Sequence, residues 1–245
     1  MERVWYKFYD EGVPHSIDYP GKPMKDYFNE WVAKSPDKPY LIWDDEQLTY
    51  DETNVMAQKI ANAILSLGYE KGDRIALMST NLPEYVILLQ ACYKIGAAIV
   101  PTNPMYTIPE LTHQFSDSET SIVFVEDRFA NKVIEIAKGD NSGIKNVIVL
   151  DSKTNAPVVT GSNVTYYADF INKGEAKEPN IPINSEDLAM LQYTGGTTGL
   201  AKGCMLSNAN LEAIAWQDTV WFSPPYEKTT DMRIMAAMPL YHIYG

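Results

Sequence analysis

Between Arg74 and Leu150 short apolar runs alternate with helix-forming segments, and that alternation confines the chain to an α/β architecture. Arg74–Ser79, Ala97–Val100, Ser121–Glu126 and Lys145–Leu150 are short, rich in Ile, Val and Ala, and bounded by turn-forming residues. Runs of this kind read as buried strands. Between them, Pro83 suits the first turn of a helix. Tyr85–Tyr93 is apolar nearly all round, so that helix is expected to be buried, with Gly96 ending it. Leu111–Ser116 reads as a short helix and Arg128–Lys138 as a longer one. Strand and helix in turn at these spacings predict an α/β fold: a largely parallel sheet with flanking helices.

The flanking segments are less regular. Met24, Tyr27, Phe28 and Trp31 share one helical face, and that helix stops before Ser35-Pro36. Tyr40–Trp43 and Gln47–Tyr50 read as two strands around the acidic turn Asp44-Asp45-Glu46. Met56, Ile60, Ala63, Ile64 and Leu67 trace an amphipathic helix that Gly68 closes. Residues 151–184 are rich in Asn, Ser, Thr, Pro and Gly, with only Tyr166–Asn172 helical, and read as a surface loop or a boundary. Leu188–Tyr193 is an apolar strand. The expected organisation is a first α/β subdomain over 1–150, a loop or boundary over 151–184, and the start of a second subdomain over 185–245.

Composition narrows the functions. With 20 Lys+Arg against 32 Asp+Glu, the formal charge is -12. So acidic a surface repels phosphate backbones, which argues against coating nucleic acid. Two cysteines, Cys92 and Cys204, make no disulfide framework, and no Cys/His cluster has zinc spacing. Cys92 lies in an apolar stretch and reads as a buried small hydrophobe. There is no signal-peptide pattern and no run long enough for a membrane span, so a cytoplasmic protein is the expectation.

The chemistry concentrates in Tyr193-Thr194-Gly195-Gly196-Thr197-Thr198-Gly199-Leu200-Ala201-Lys202-Gly203. The glycines let backbone approach a ligand closely. Backbone N–H groups in such a loop make a concave anion nest. The threonine hydroxyls can donate to phosphate oxygens or ligate Mg²⁺, with Thr194 the candidate metal ligand, and Lys202 supplies a cation. The alternative, a solvated turn without a ligand, fits poorly with three Thr and a Lys among four Gly directly after a strand. The NTPase P-loop pattern is absent, because Gly203 and not Ser or Thr follows Lys202. A helix from about Ala209 to Trp221 follows, with Ser207 or Asn208 as its cap.

Tyr193–Gly203 resembles the signature of the adenylate-forming enzymes, the superfamily of acyl-CoA synthetases, luciferase-like enzymes and peptide-synthetase adenylation domains. Gly195 stands where Ser is usual and Ala201 where Pro is usual. The variant from Leu191 to Gly203 is most similar to long-chain fatty acyl-CoA ligases. Tyr93–Pro104 resembles the family's K-x-G-A-x-x-V-P-x-N-P block. Pro239-Leu240-Tyr241-His242-Ile243-Tyr244-Gly245 resembles its P-L-x-H-x-x-G motif, and Leu48-Thr49-Tyr50 before a helix also fits.

The resemblance implies a two-step reaction, in which a carboxylate and ATP give acyl-adenylate and pyrophosphate, and coenzyme A then forms a thioester. ATP, Mg²⁺ and coenzyme A are the implied cofactors and co-substrates, and a fatty acid the acyl substrate. Tyr193, Thr194, Gly195, Gly196, Thr197, Thr198, Gly199 and Lys202 would bind the nucleotide. Lys202 and His242 would serve the chemistry, and Tyr241, His242, Tyr244 and Gly245 would line the acyl pocket. On composition alone a His among Tyr241, Ile243 and Tyr244 is more often a packed core residue than a functional one, and it is the motif that favours the functional reading; His15 and His113 show no partner pattern. Trp216, Trp221 and Phe222 could line an acyl tunnel, although core packing or a surface patch suits them better. The family's Y-G-x-T-E and S/T-G-D segments and the catalytic Lys of its C-terminal domain are not found here. The expectation is therefore an N-terminal piece with little activity alone. An aryl or amino acid adenylating enzyme and a non-catalytic nucleotide-binding module stay open. Acyl length and oligomeric state are not readable from the residues.

Overall fold

The structure, a computed structural model, describes residues 3–139, 142–153, 156–195, 200–222 and 233–243. A seven-stranded sheet forms its centre. In chain order its strands are β3 (Arg74–Met78), β4 (Ala98–Pro101), β5 (Ile122–Glu126), β6 (Asn146–Leu150), β7 (Val164–Tyr166), β8 (Leu188–Thr194) and β9 (Lys202–Ser207). They are ordered β7-β6-β5-β3-β4-β8-β9 across the sheet. Every pairing is parallel except β8 with β9. Outside it, β1 (Pro39–Trp43) and β2 (Glu46–Thr49) form a two-stranded antiparallel ribbon.

The central strands are apolar on both faces, as a sheet sandwiched between helices requires. Side chains alternate along each strand. Ile75, Leu77, Ile122, Phe124, Ile148 and Leu150 pack on one side with α2 (Tyr50–Ser66), α3 (Pro83–Ile95) and α6 (Tyr167–Ile171). Ala76, Met78, Val123, Val125, Val147 and Val149 pack on the other with α4 (Ile108–Asp117) and α5 (Ala130–Ala137). The result is a three-layer α/β/α arrangement, the α/β fold with a largely parallel sheet that the sequence predicts.

Local signals account for the element ends. Thr49 caps α2 through a reciprocal capping box: its hydroxyl accepts from the Glu52 N–H at 3.1 Å, and Glu52 accepts from the Thr49 N–H at 2.8 Å. Tyr50 therefore opens α2 instead of closing the preceding strand. Gly96 ends α3 in the left-handed region, φ 67°. Cys92 is fully buried, and burial pushes its thiol up to about 12.

Two strands depart from the expectation. β9 starts on the last two residues of the glycine-rich segment and runs through residues for which no strand is expected, so a hairpin partner stands between that segment and the helix α7 (Asn208–Phe222). β7 occupies part of the Asn/Ser/Thr-rich stretch and forms the sheet's far edge. The sheet thus runs continuously from that stretch through β8 and β9. The same stretch also supplies Glu178, which accepts hydrogen bonds from Asn29 (3.0 Å), Gln58 (3.2 Å) and Lys94 (2.6 Å). Lys94 is buried on α3, and this carboxylate compensates its charge while tying α1 (Met24–Lys34), α2 and α3 together.

Gly96→Ala forces a Cβ into the left-handed region and within 3.1 Å of Ile183. A loss of about 1–2 kcal/mol in denaturant-unfolding free energy is expected from the backbone term alone.

Candidate nucleotide and acyl site

Ligands of open parallel sheets bind at the carboxyl ends of the strands. In this molecule β8 brings the glycine-rich segment to that edge, and β9 returns from it. Register places Tyr193 opposite Gly203 and Thr194 opposite Lys202. Opposed residues of an antiparallel pair point to the same side, and successive residues to opposite sides. Thr194 and Lys202 therefore share one face, both exposed. Tyr193 lies on the other face, buried among the residues around α4. Its ring covers Gly203, where a Cβ would come within 3.0 Å of two ring carbons. This close approach explains the glycine after Lys202. Gly195 is exposed at the start of the connection; Gly196, Thr197, Thr198 and Gly199 lie outside the described residues.

The hairpin is held from α4. The Tyr193 hydroxyl donates to Asp117 Oδ2 at 2.5 Å. Burial, reinforced by that carboxylate, holds the phenol well above its ordinary range. On the returning side, His113 Nε2 lies 2.8 Å from the Ala201 carbonyl oxygen. A carbonyl only accepts, so Nε2–H of His113 is the donor in this contact. His113, which shows no partner pattern in the sequence, is thus joined to the residue beside Lys202.

The Pro239–His242 segment forms a turn, with the His242 N–H donating to the Pro239 carbonyl at 2.9 Å. Asn81, just beyond β3, holds it. The Asn81 amide donates to the carbonyls of Ala236 (2.9 Å) and Met238 (2.8 Å) and accepts from the Leu240 N–H (2.9 Å). Buried Gln192 on β8 donates to the Tyr241 carbonyl at 3.4 Å. Leu240 and Tyr241 pack partly against the core, whereas His242 is exposed. The turn and the hairpin stem therefore share the carboxyl end of β8. Tyr244 and Gly245 lie outside the described residues.

The loop bearing Asn81 is itself fixed by Glu126, fully buried at the end of β5. Glu126 accepts from the Thr80 N–H and hydroxyl, both at 2.8 Å, and pairs with Arg128. The sequence gives no role to Asn81, Glu126, Gln192 or Asp117, and shows no partner pattern for His113. A signal existed for three of them, because Asn81, Glu126 and Gln192 are polar residues at or just past the ends of apolar strands. Trp216 and Trp221 take other roles: the Trp216 indole donates to the Tyr27 hydroxyl at 3.0 Å, and Trp221 stands edge-on to Tyr9. Phe222 is largely exposed.

The residues fit an anionic ligand better than a resident metal. Thr194 and Lys202 offer a hydroxyl and an ammonium side by side, and among the described residues Lys202 enters no ion pair. Among the described residues no group of three or more His, Cys, Asp or Glu could hold a metal ion. A magnesium ion here would gain only the Thr194 hydroxyl from these stems, its remaining oxygens coming from the nucleotide or elsewhere. Among the described residues no helix is long and apolar enough to cross a membrane.

Known proteins are similar to this chain in sequence and in fold. The chain is 30% identical to a long-chain-fatty-acid–CoA ligase of Escherichia coli O6:H1, over 100% of the chain and 47% of that protein. It is 32% identical to a 4-coumarate–CoA ligase of hop, Humulus lupulus, over 91% of the chain and 40% of that protein. The crystal structure of a long-chain-fatty-acid-CoA ligase from Archaeoglobus fulgidus superposes with a TM-score of 0.73 at 27% identity, covering 86% of this chain and 41% of that one. The chain thus spans about half the length of the curated relatives it matches. The model of the AMP-binding enzyme family matches residues 28–245, and the chain belongs to that family.

Proposed function

We propose that the protein carrying this chain is an ATP-dependent fatty acid–CoA ligase. The pairing of Thr194 with Lys202 at the mouth of a glycine-rich hairpin, on the carboxyl edge of the sheet, carries the reading. Its acyl class is supported by the fatty-acid ligases among its relatives. The hop relative keeps an aryl acid as the second reading. ATP, Mg²⁺ and coenzyme A are the proposed co-substrates and cofactor, and the cytoplasm the proposed location.

In the first step a carboxylate oxygen bonds to the α-phosphorus of ATP as the bond to the bridging oxygen breaks, giving acyl-adenylate and pyrophosphate. In the second, the coenzyme A sulfur bonds to the acyl carbon, AMP leaves, and the thiol proton is lost. The obstacle in the first step is bringing two anions together while charge builds on the departing pyrophosphate. Lys202, the Thr194 hydroxyl and the backbone N–H groups from Gly195 onward are proposed to hold the β- and γ-phosphates and offset that charge. A cation fixed in advance on a strand costs no reorganisation as the charge develops. Magnesium, when bound, would draw further charge from the phosphate oxygens. His242 is proposed to donate a hydrogen bond toward the carboxylate or α-phosphate, its turn held by Asn81 and Gln192. Tyr241, Tyr244 and Gly245 are proposed to wall the acyl site. The divisions 1–150, 151–184 and 185–245 are kept as proposed units of the family's large domain.

Lys202→Ala in the full-length protein is expected to slow ATP–pyrophosphate exchange about 10²-fold or more, as removal of one charge-stabilising donor does elsewhere. An unchanged rate contradicts the assignment. A panel of acids in that assay separates the readings, with medium- and long-chain fatty acids expected to outperform aryl acids. Asn81→Ala is expected to speed hydrogen exchange of the Leu240 amide about tenfold, the loss of one hydrogen bond's net free energy. Exchange as slow as in the parent shows that the turn is held by something else.

A further inference from the structure

Lys202 can stabilise charge only if its strand is fixed, yet it stands at the open end of the β8–β9 hairpin, on the edge strand of the sheet. β9 is the last strand of the sheet, with β8 as its neighbour, so its open end has little to hold it unless another element grips it. Two residues of α4 do so. Asp117 receives the Tyr193 hydroxyl on the outgoing stem, at 2.5 Å, and His113 lies 2.8 Å from the Ala201 carbonyl on the returning stem. They are four apart, hence on one face of the helix. Tyr193 precedes Thr194, and Ala201 precedes Lys202, so each contact falls one residue before a proposed phosphate-binding side chain.

The helix providing this grip is itself anchored. Leu111 and Phe115 are buried in the core beside Tyr193. Buried Gln114 donates to the Pro101 carbonyl at the end of β4, at 3.0 Å. Thr107 and Glu110 form a capping box at its start. The opposite face of α4 is thereby fixed to the sheet while His113 and Asp117 reach the hairpin. Both bonds are short, and the phenol–carboxylate bond is charge-assisted.

We propose that His113 and Asp117 are positioning residues for nucleotide binding: a two-point clasp from α4 that sets the spacing of the Thr194 and Lys202 stems without touching the ligand. The proposal rests on the reading of the hairpin as the phosphate site. It assigns the clasp to the ATP half of the reaction, because neither residue approaches the Pro239–His242 turn in any hydrogen bond among the described residues.

The test is steady-state ATP–pyrophosphate exchange by the full-length protein, with ATP and fatty acid varied separately. His113→Leu is expected to raise the KM for ATP about tenfold, as the net loss of one hydrogen bond would, with the KM for the fatty acid within about twofold. His113→Gln, whose amide can donate to the same carbonyl, is expected to restore most of the ATP affinity. Tyr193→Phe keeps the ring over Gly203 and removes the bond to Asp117; it is expected to raise the KM for ATP by about threefold or more and gives an independent reading should His113→Leu not fold. An ATP KM unchanged in the His113→Leu and Tyr193→Phe proteins overturns the clasp. So does an equal rise for both substrates, or a Gln variant no better than Leu. Lys202→Ala in parallel separates the two levels: if it weakens ATP use and the α4 variants do not, the clasp alone fails. If Lys202→Ala changes nothing, the phosphate site fails and the clasp with it.

Discussion

The arrangement depends on the parallel pairing of β4 with β8, registered at Ile99 and Met190. More than eighty residues of chain separate the two strands, so closing that loop costs entropy that local contacts do not repay. The apolar faces of the sheet repay it. Once β8 lies beside β4, its carboxyl end falls in line with the ends of β3 and β5. Thr194, Gln192 and the hairpin then reach the same edge as Asn81 and Glu126. Without that pairing the glycine-rich segment would be an isolated ribbon, and the Pro239–His242 turn would lose its contact with Gln192.

The carboxyl edge is built from polar residues that bond to backbone. Glu126 fixes Thr80, Asn81 fixes the turn, Gln192 reaches Tyr241, and His113 reaches Ala201. Each places a loop without presenting its own charge to a ligand. Lys202 and Thr194 are left on the exposed face of the hairpin. A formal charge of -12 is compatible with the proposed anion site, because a fixed ammonium acts at short range while distant surface charge is screened by salt.

Much of the fold was legible because the strands from β3 to β6 are apolar on both faces and their helices are periodic. The two strands that escaped have weak patterns. β7 is three half-buried residues at an edge, and β9 opens on Lys-Gly with two consecutive exposed residues, Cys204 and Met205, so neither alternates cleanly. With no alternation to mark β9, the hairpin stays hidden in the sequence. The residues of the proposed phosphate site stood out through composition, since Gly, Thr and Lys in one short run are rare filler. Their supports did not. His113 and Ala201 are 88 positions apart, and Asn81 and Leu240 are 159 apart. No local pattern encodes such partners; they arise when the sheet brings distant strand ends to one edge.

As proposed, Lys202 faces the terminal phosphates of ATP. An ATP analogue carrying a reactive acyl group on its γ-phosphate transfers that group to the nearest lysine. With the full-length protein and peptide mapping, acylation at Lys202, suppressed by excess ATP, is expected. Labelling confined to other lysines, with Lys202 unmodified, would contradict it.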